Sequence, residues 1–256
     1  MGSPIKLIVC DNDGCLLPEG PVPLDPNMLA PIAAYNRAAA DPSNGLPMLT
    51  ICTGRPVSFV ELELRLIHCA TLPSICEHGA LTYSLHDNIT EFDPSITRSH
   101  RDMLRIMEDW MRDDLNLIIQ AGKHGMISAY EPDEIKMRRV MAALKDRVQT
   151  EGWPLHVERS VFYINVTLQH VSKGTALARL FQRLKVSGTD VLAIGDTRGD
   201  LPMREVCGHF GAPANAVDDL KKIADYVSPH ELTAGVVDII QHFTGCSDDV
   251  FRTPQH

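Results

Sequence analysis

The stretch Ile5-Lys6-Leu7-Ile8-Val9-Cys10-Asp11-Asn12-Asp13-Gly14-Cys15 decides the fold. Its first six residues form a short, nearly continuous apolar run rich in β-branched side chains. Such a run is the mark of a strand buried on both faces of a parallel sheet. It stops at Asp11-Asn12-Asp13-Gly14, residues that favour turns. The pattern recurs twice. Residues 47–52 (P-M-L-T-I-C) run into Thr53-Gly54-Arg55-Pro56, and residues 190–194 (D-V-L-A-I) run into Gly195-Asp196. Helical spacing follows at 27–40, 57–68, 173–184, 201–206, 218–225 and 235–243, with Ser172 a natural N-cap. Residues 74–83 read as a strand around Glu77-His78-Gly79-Ala80, and 209–212 and 226–227 as short strands. Strands alternating with helices predict an α/β fold with a parallel sheet.

The middle of the chain breaks that rhythm. Met103, Leu104, Met107, Trp110 and Met111 lie at helical spacing within 97–115. Residues 117–120 and 126–130 flank 121–125 as a hairpin, 132–148 read as a helix, and 155–158 with 161–168 as a second hairpin. The order αββαββ predicts a small α+β layer inserted into the α/β core, with one open sheet face. The expected division is 1–84 and 172–256 for the core, and 85–171 for the insert.

At 256 residues the chain is long enough to bury a hydrophobic core without staples. Hydrophobic residues are 44% and charged residues 22%, the proportions of a folded globular chain. Twenty-four Lys and Arg against 33 Asp and Glu leave a net charge of −9. That balance argues against a nucleic-acid or anionic-membrane partner, but leaves room for a small anion bound by local cations or a metal. The seven cysteines are an odd number, several within apolar runs, as expected of buried thiols in a reducing compartment. No secretory signal pattern opens the sequence, Lys6 breaks the myristoylation pattern of Met1-Gly2, and no apolar run approaches the ~20 residues of a membrane span. The expectation is a cytoplasmic protein.

Acids cluster where the strands end: Asp11 and Asp13 after one, Asp196 and Asp200 after another. In open parallel sheets the ligand crevice lies at the carboxyl ends of the strands. Four carboxylates aimed at one crevice repel one another unless a hard divalent cation joins them, and all-oxygen ligands suit Mg²⁺. Thr53-Gly54-Arg55 offers a hydroxyl and backbone N–H groups at a helix start, which suit a phosphate oxygen. Lys173 opens another helix, against the helix dipole, a conflict that a bound anion relieves. A carboxylate nucleophile, a metal, a hydroxyl and a lysine together describe phosphoryl transfer.

These segments, in this order, resemble the haloacid dehalogenase superfamily of phosphatases: Asp11-Asn12-Asp13-Gly14-Cys15, Thr53-Gly54-Arg55, Lys173, and Gly195-Asp196-Thr197-Arg198-Gly199-Asp200. Glu77-His78-Gly79-Ala80, Ser172-Lys173-Gly174, Leu201-Pro202-Met203 and Asn215-Ala216 are similar to its Cof-type, sugar-phosphatase branch. The resemblance implies a Rossmann-like core with a C2-type cap domain, a Mg²⁺ cofactor and a small phosphorylated metabolite as substrate, a sugar phosphate or phosphorylated organic acid. It implies Asp11 as nucleophile and Asp13 as general acid and base. It further implies a metal held by Asp11, Asp13 (through its carbonyl), Asp196 and Asp200, and a phosphoryl group held by Thr53, Gly54 and Lys173. Cys15, Asn12 and Gly199 depart from the usual Thr, apolar residue and Asn of that pattern, and Asn215 is a candidate to replace the contact missing at Gly199. Lys123 and His124 at one hairpin tip, and Arg159 at the other, are candidates for substrate contacts from the cap. A phosphomutase of the phosphomannomutase type shares core and cap, and a non-catalytic binding protein on the same scaffold is a third reading.

Overall fold

A computed structural model of the chain describes residues 5–160 and 162–252. Met1-Gly2, and Val161 at the start of the second expected hairpin strand, lie outside the described residues. In chain order the elements are β1 (Leu7–Cys10), α1 (Ala30–Ala39), β2 (Leu49–Ile51), α2 (Val57–Leu66), β3 (Ser74–Cys76), β4 (Leu81–Ser84) and β5 (Ile89–Phe92). Then come α3 (Arg98–Asp113), β6 (Ile118–Ile119), β7 (Ile127–Tyr130), α4 (Glu134–Glu151), β8 (Leu155–Arg159) and β9 (Tyr163–Leu168). The chain closes with α5 (Lys173–Leu184), β10 (Val191–Ile194), α6 (Leu201–Val206), β11 (His209–Ala212), α7 (Asp218–Lys221), β12 (Tyr226–Val227) and α8 (Leu232–Thr244).

Strands β12-β11-β10-β1-β2 form a parallel sheet with β1 inside it. Successive side chains of a strand face opposite ways, and β1 uses both faces. Ile8 and Cys10 pack with Ile32 and Tyr35 of α1, Leu64 of α2 and Ile239 of α8. Leu7 and Val9 pack with Leu177 and Leu180 of α5 and Met203 of α6. Apolar side chains thus leave both faces of the sheet into helical layers, which is why β1 carries no polar alternation.

The register sets the site. Cys10 stands beside Ile51 and Ile194. The next residue on each strand is therefore Asp11, Cys52 and Gly195, with Thr53 and Asp196 one step further. The ladder continues past the strand ends, since Asp11 N–H donates to Ile194 O (2.9 Å) and Thr53 N–H to Ile75 O (2.9 Å).

Residues 74–83 are not one strand. Glu77, His78 and Gly79 have φ of +51°, +53° and +106°, a left-handed run that breaks β3 from β4. A strand not read from the sequence, β5, then pairs antiparallel with β4. All four of its residues are exposed, so it carries no burial pattern.

The αββαββ segment folds as a four-stranded antiparallel sheet, β6-β7-β9-β8. Ile127 and Ala129 of β7 and Ile164, Val166 and Leu168 of β9 pack against Met107 and Met111 of α3 and Val140 and Leu144 of α4. The alternate residues Ser128, Tyr163 and Asn165 face the other way, into a cavity shared with the parallel-sheet core. Among the described residues no helix is long and apolar enough to cross a membrane.

Candidate active site

Asp11 follows β1 and is buried. Its Oδ1 accepts from Lys173 Nζ at 2.8 Å and from the N–H of Asn12 at 2.7 Å. Lys173 is the first residue of α5, placed there by a capping box in which Ser172 Oγ accepts from Thr175 N–H and Thr175 Oγ1 accepts from Ser172 N–H. Its Nζ also donates to Asp200 Oδ1 at 2.6 Å. Asp200 is wholly buried, and its Oδ2 accepts from the N–H groups of Asp196 and Thr197, both at 3.0 Å. Carboxylate oxygens of Asp11, Asp196 and Asp200 lie within 4.8 Å of one another.

Three buried carboxylates against one ammonium leave an excess of negative charge. Burial, then the neighbouring Asp200, raises Asp11 to about 7 despite Lys173. Burial, then Asp200 and Asp11, raises Asp196 to about 9. Burial pulls the Lys173 ammonium down, but Asp11 and Asp200 outweigh it and hold it well above its ordinary value. Asp200 is saturated with donors, whereas among the described residues the Asp196 carboxylate has as hydrogen-bond donor only the weak Cys15 Sγ at 3.9 Å. An all-oxygen set with surplus charge fits a hard divalent cation. Gly14, at φ +80°, is required beside it, since a Cβ there would stand 1.9 Å from Asp196 Oδ2.

Above this cluster opens a cavity of about 380 Å³, whose walls include Asp11, Asp13, Thr53, Gly54, Arg55 and His78 from the core and Lys123, Ser128, Arg159 and Asn165 from the four-stranded layer. Thr53 is buried and its Oγ1 accepts from Arg55 N–H (3.2 Å), leaving its own O–H free to donate. Arg55 grips both carboxylate oxygens of Asp13 and lies over the Phe59 ring. His78 is held well below its ordinary pKa by burial and then by the Lys173 and Lys123 charges, so it presents a neutral imidazole. Lys173 lines an adjoining cavity that shares His78, Glu158, Arg198 and Gly199 with the first.

A family model described as haloacid dehalogenase-like hydrolase matches residues 124–240. A phosphoglycolate phosphatase of Archaeoglobus fulgidus is 36% identical over 112 residues, 44% of this chain and 50% of that protein. Matches to this and the next relatives span about half of those proteins' length. A phosphoglycolate phosphatase of Methanococcoides burtonii is 24% identical over 241 residues, covering 93% of this chain and 96% of the relative. A solved haloacid dehalogenase-like hydrolase of Bacteroides thetaiotaomicron superposes with a TM-score of 0.72 at 17% identity, covering 93% of this chain and 99% of that one. The fold is that of the haloacid dehalogenase-like hydrolases, and residues 124–240 resemble them in sequence.

In this structure the residues singled out from the sequence do not all meet. Asp11, Asp196, Asp200 and Lys173 form one buried cluster, and Asp13, Thr53 and Gly54 share a cavity wall with Asp11. Lys123 and Arg159 reach the opposite wall, Arg159 in an ion pair with Glu134 (2.8 Å). His124 is exposed and outside that wall, and what it contributes is its backbone N–H, donated to Glu77 Oε2 (2.9 Å). Asn215 has both ends of its amide on backbone: Nδ2 donates to Gly14 O (2.7 Å) and Oδ1 accepts from Leu232 N–H (3.0 Å). It braces the Gly14 turn and does not line the cavity. At Gly199 a Cβ would meet Thr197 Oγ1 at 3.5 Å and His78 Cε1 at 3.8 Å, so the space has no tight neighbour. Cys15 is a packed thiol, pushed well above its ordinary pKa by burial.

Sequence reasoning missed Glu63, Ser128 and Asn165, and it placed Arg55 in a site motif without its pairing to Asp13. Asn12, with its amide nitrogen turned inward, donates to the buried Glu63 carboxyl, which accounts for a polar residue at that strand end. Burial and then Asp13 push Glu63 well above the usual carboxylate range. The signal for it was a glutamate on the inner stripe of α2, between Val60 and Leu64.

Proposed function

We propose that this protein is a Mg²⁺-dependent phosphatase that hydrolyses a small phosphorylated metabolite through an aspartyl-phosphate on Asp11. The observation that carries the reading is the Asp11 carboxylate, ion-paired to a buried lysine and flanked by two further carboxylates, at a cavity of metabolite size. Asp11, Asp196 and Asp200, with the Asp13 carbonyl, would hold the cation. When bound it would neutralise charge on the phosphoryl oxygens and keep the carboxylates ionised.

The chain's own groups then divide the work. Lys173 and the Thr53 hydroxyl, with the N–H groups that follow it, hold the phosphoryl oxygens. An Asp11 oxygen attacks phosphorus as the ester P–O bond breaks, and Asp13 gives its proton to the leaving alkoxide. Asp13 next takes a proton from water, whose oxygen attacks phosphorus and breaks the Asp11–phosphorus bond. Phosphate leaves and both carboxylates regain their starting states. The Arg55 fork fixes where Asp13 stands, and Asp13 must yield part of that fork to carry a proton.

The test is phosphate release from a panel of phosphomonoesters, with p-nitrophenyl phosphate as the generic member. Release in Mg²⁺ that is abolished by excess chelator and restored by Mg²⁺ is expected. Undiminished release in chelator, or none from any phosphomonoester, contradicts the reading.

A further inference from the structure

The reaction proposed above uses no histidine, yet His78 stands in its cavity. The residue belongs both to the wall of the cavity above Asp11 and to that of the adjoining cavity lined by Lys173. Of the four residues common to the two walls, Arg198 is bound to Asp219, Glu158 is an acid and Gly199 has no side chain. The fourth is the imidazole of His78.

The backbone holds that ring in an unusual way. Glu77 and His78 are both left-handed, with φ of +51° and +53°. Such angles are uncommon outside glycine, and they persist where the surrounding structure enforces them. Here the Thr53-Gly54-Arg55 turn enforces them. Glu77 N–H donates to Arg55 O (3.1 Å) and His78 N–H donates to Thr53 O (3.0 Å), so the two turns are locked together with Gly54 between the bonds. A Cβ at Gly54 would stand 2.4 Å from His78 Nε2, so the lack of one is what admits the ring. A Cβ at Gly199 would lie 3.8 Å from His78 Cε1. The Nε2–Cε1 edge of the ring is therefore flanked by two residues without side chains.

That edge carries an unused donor. Neither ring nitrogen of His78 has a hydrogen-bond partner among the described residues, and neither has the Gly54 N–H beside it. Burial, then the Lys173 and Lys123 ammonium groups, keeps the ring neutral, so it has one N–H to give. A free donor subject to two positive charges is placed for an anion.

We propose that His78 binds the phosphoryl group, its Nε2–H donating from between Gly54 and Gly199 to an oxygen that the Gly54 N–H and Lys173 also address. The inference rests on the phosphatase reading and adds a residue to it. A hydrogen bond to a charged oxygen is strong even from a neutral donor, and a neutral donor puts no further cation beside Lys173.

The test uses the full chain with Mg²⁺ and inorganic phosphate as the ligand. Proton–nitrogen spectra of the imidazole rings are followed as phosphate is added, and the signal absent from His78→Asn identifies His78 among the 11 histidines. Phosphate should shift the His78 ring. Asn tolerates the left-handed turn but is shorter than the ring, so His78→Asn should keep its melting temperature. Its inhibition constant for phosphate against p-nitrophenyl phosphate should rise about tenfold or more, the scale of a lost hydrogen bond to a charged group. kcat/KM should fall alike for p-nitrophenyl and alkyl phosphates, since the contact is to the part they share. In His78→Gly, added imidazole should recover part of the phosphate affinity, which tests the contact should the Asn variant fold poorly. With the wild-type protein active, a His78 signal that phosphate does not move overturns the assignment to the phosphoryl group alone. So does an unchanged inhibition constant in both variants, or a loss confined to alkyl phosphates. A wild-type protein that neither hydrolyses p-nitrophenyl phosphate nor binds phosphate overturns the phosphatase reading and this inference with it.

Discussion

Asp11 and Asp196 are carboxyl groups folded into the interior beside another acid, and their titration reports that crowding. Their folded values are about 7 and about 9, raised first by burial and then by Asp200, against an ordinary 3.8. A carboxyl with a raised folded pKa binds its proton more tightly folded than unfolded. Stability from that source is complete at low pH and is lost as pH climbs from the ordinary value through the folded one. A cation that binds the ionised carboxylates compensates for the loss. The rise in melting temperature on adding Mg²⁺ to chelator-treated protein should therefore be larger at about pH 8 than at about pH 5. An equal or smaller rise at the higher pH contradicts this picture. At this scale the sequence showed which acids gather, because each ends a buried strand. It did not show that Arg55 holds Asp13, that Glu63 holds Asn12, or that Asn215 holds the Gly14 turn. Those pairs span up to 201 residues of sequence and leave no periodic trace.

The element that matters most to the chemistry after β1 is α5, because its first residue is the buried Lys173. An ammonium at a helix N-terminus opposes the helix dipole, and here Asp11 and Asp200 offset that conflict. The Ser172 cap sets where the helix begins. Ser172→Ala removes the acceptor for Thr175 N–H and should cost about 1 kcal/mol in denaturant unfolding. It should also lower turnover, since Lys173 loses its fixed starting point. Unchanged stability with unchanged turnover would show that packing of Leu177 and Leu180, rather than the cap, places the lysine. Ser172 was legible as a cap from residue type alone. The turn at Glu77 was not, because a left-handed turn made by Glu and His, with glycine only third, carries no sequence signature. Strand β5 escaped notice for the opposite reason: its residues are all exposed, so hydrophobic alternation had nothing to report.

At the scale of the whole molecule, two layers built on different rules meet at one cavity. The parallel sheet contributes the proposed reacting groups at the carboxyl ends of its strands, and the antiparallel layer contributes the polar face its helices leave bare. The αββαββ order made that bare face legible in the sequence. Which residues would gather on it was not, because Ser128 and Asn165 become neighbours only through the β7–β9 register. The central claim is that Asp11 itself takes the phosphoryl group. It is tested most directly in Asp13→Asn. With p-nitrophenyl phosphate the leaving group needs little protonation, so the first step proceeds, while the second lacks its base. Phosphoenzyme should then accumulate, and borohydride reduction followed by peptide mass spectrometry should find the Asp11 side chain, and no other, reduced to the alcohol. Reduction at a different carboxylate, or none while p-nitrophenol is still released in a burst, contradicts the account.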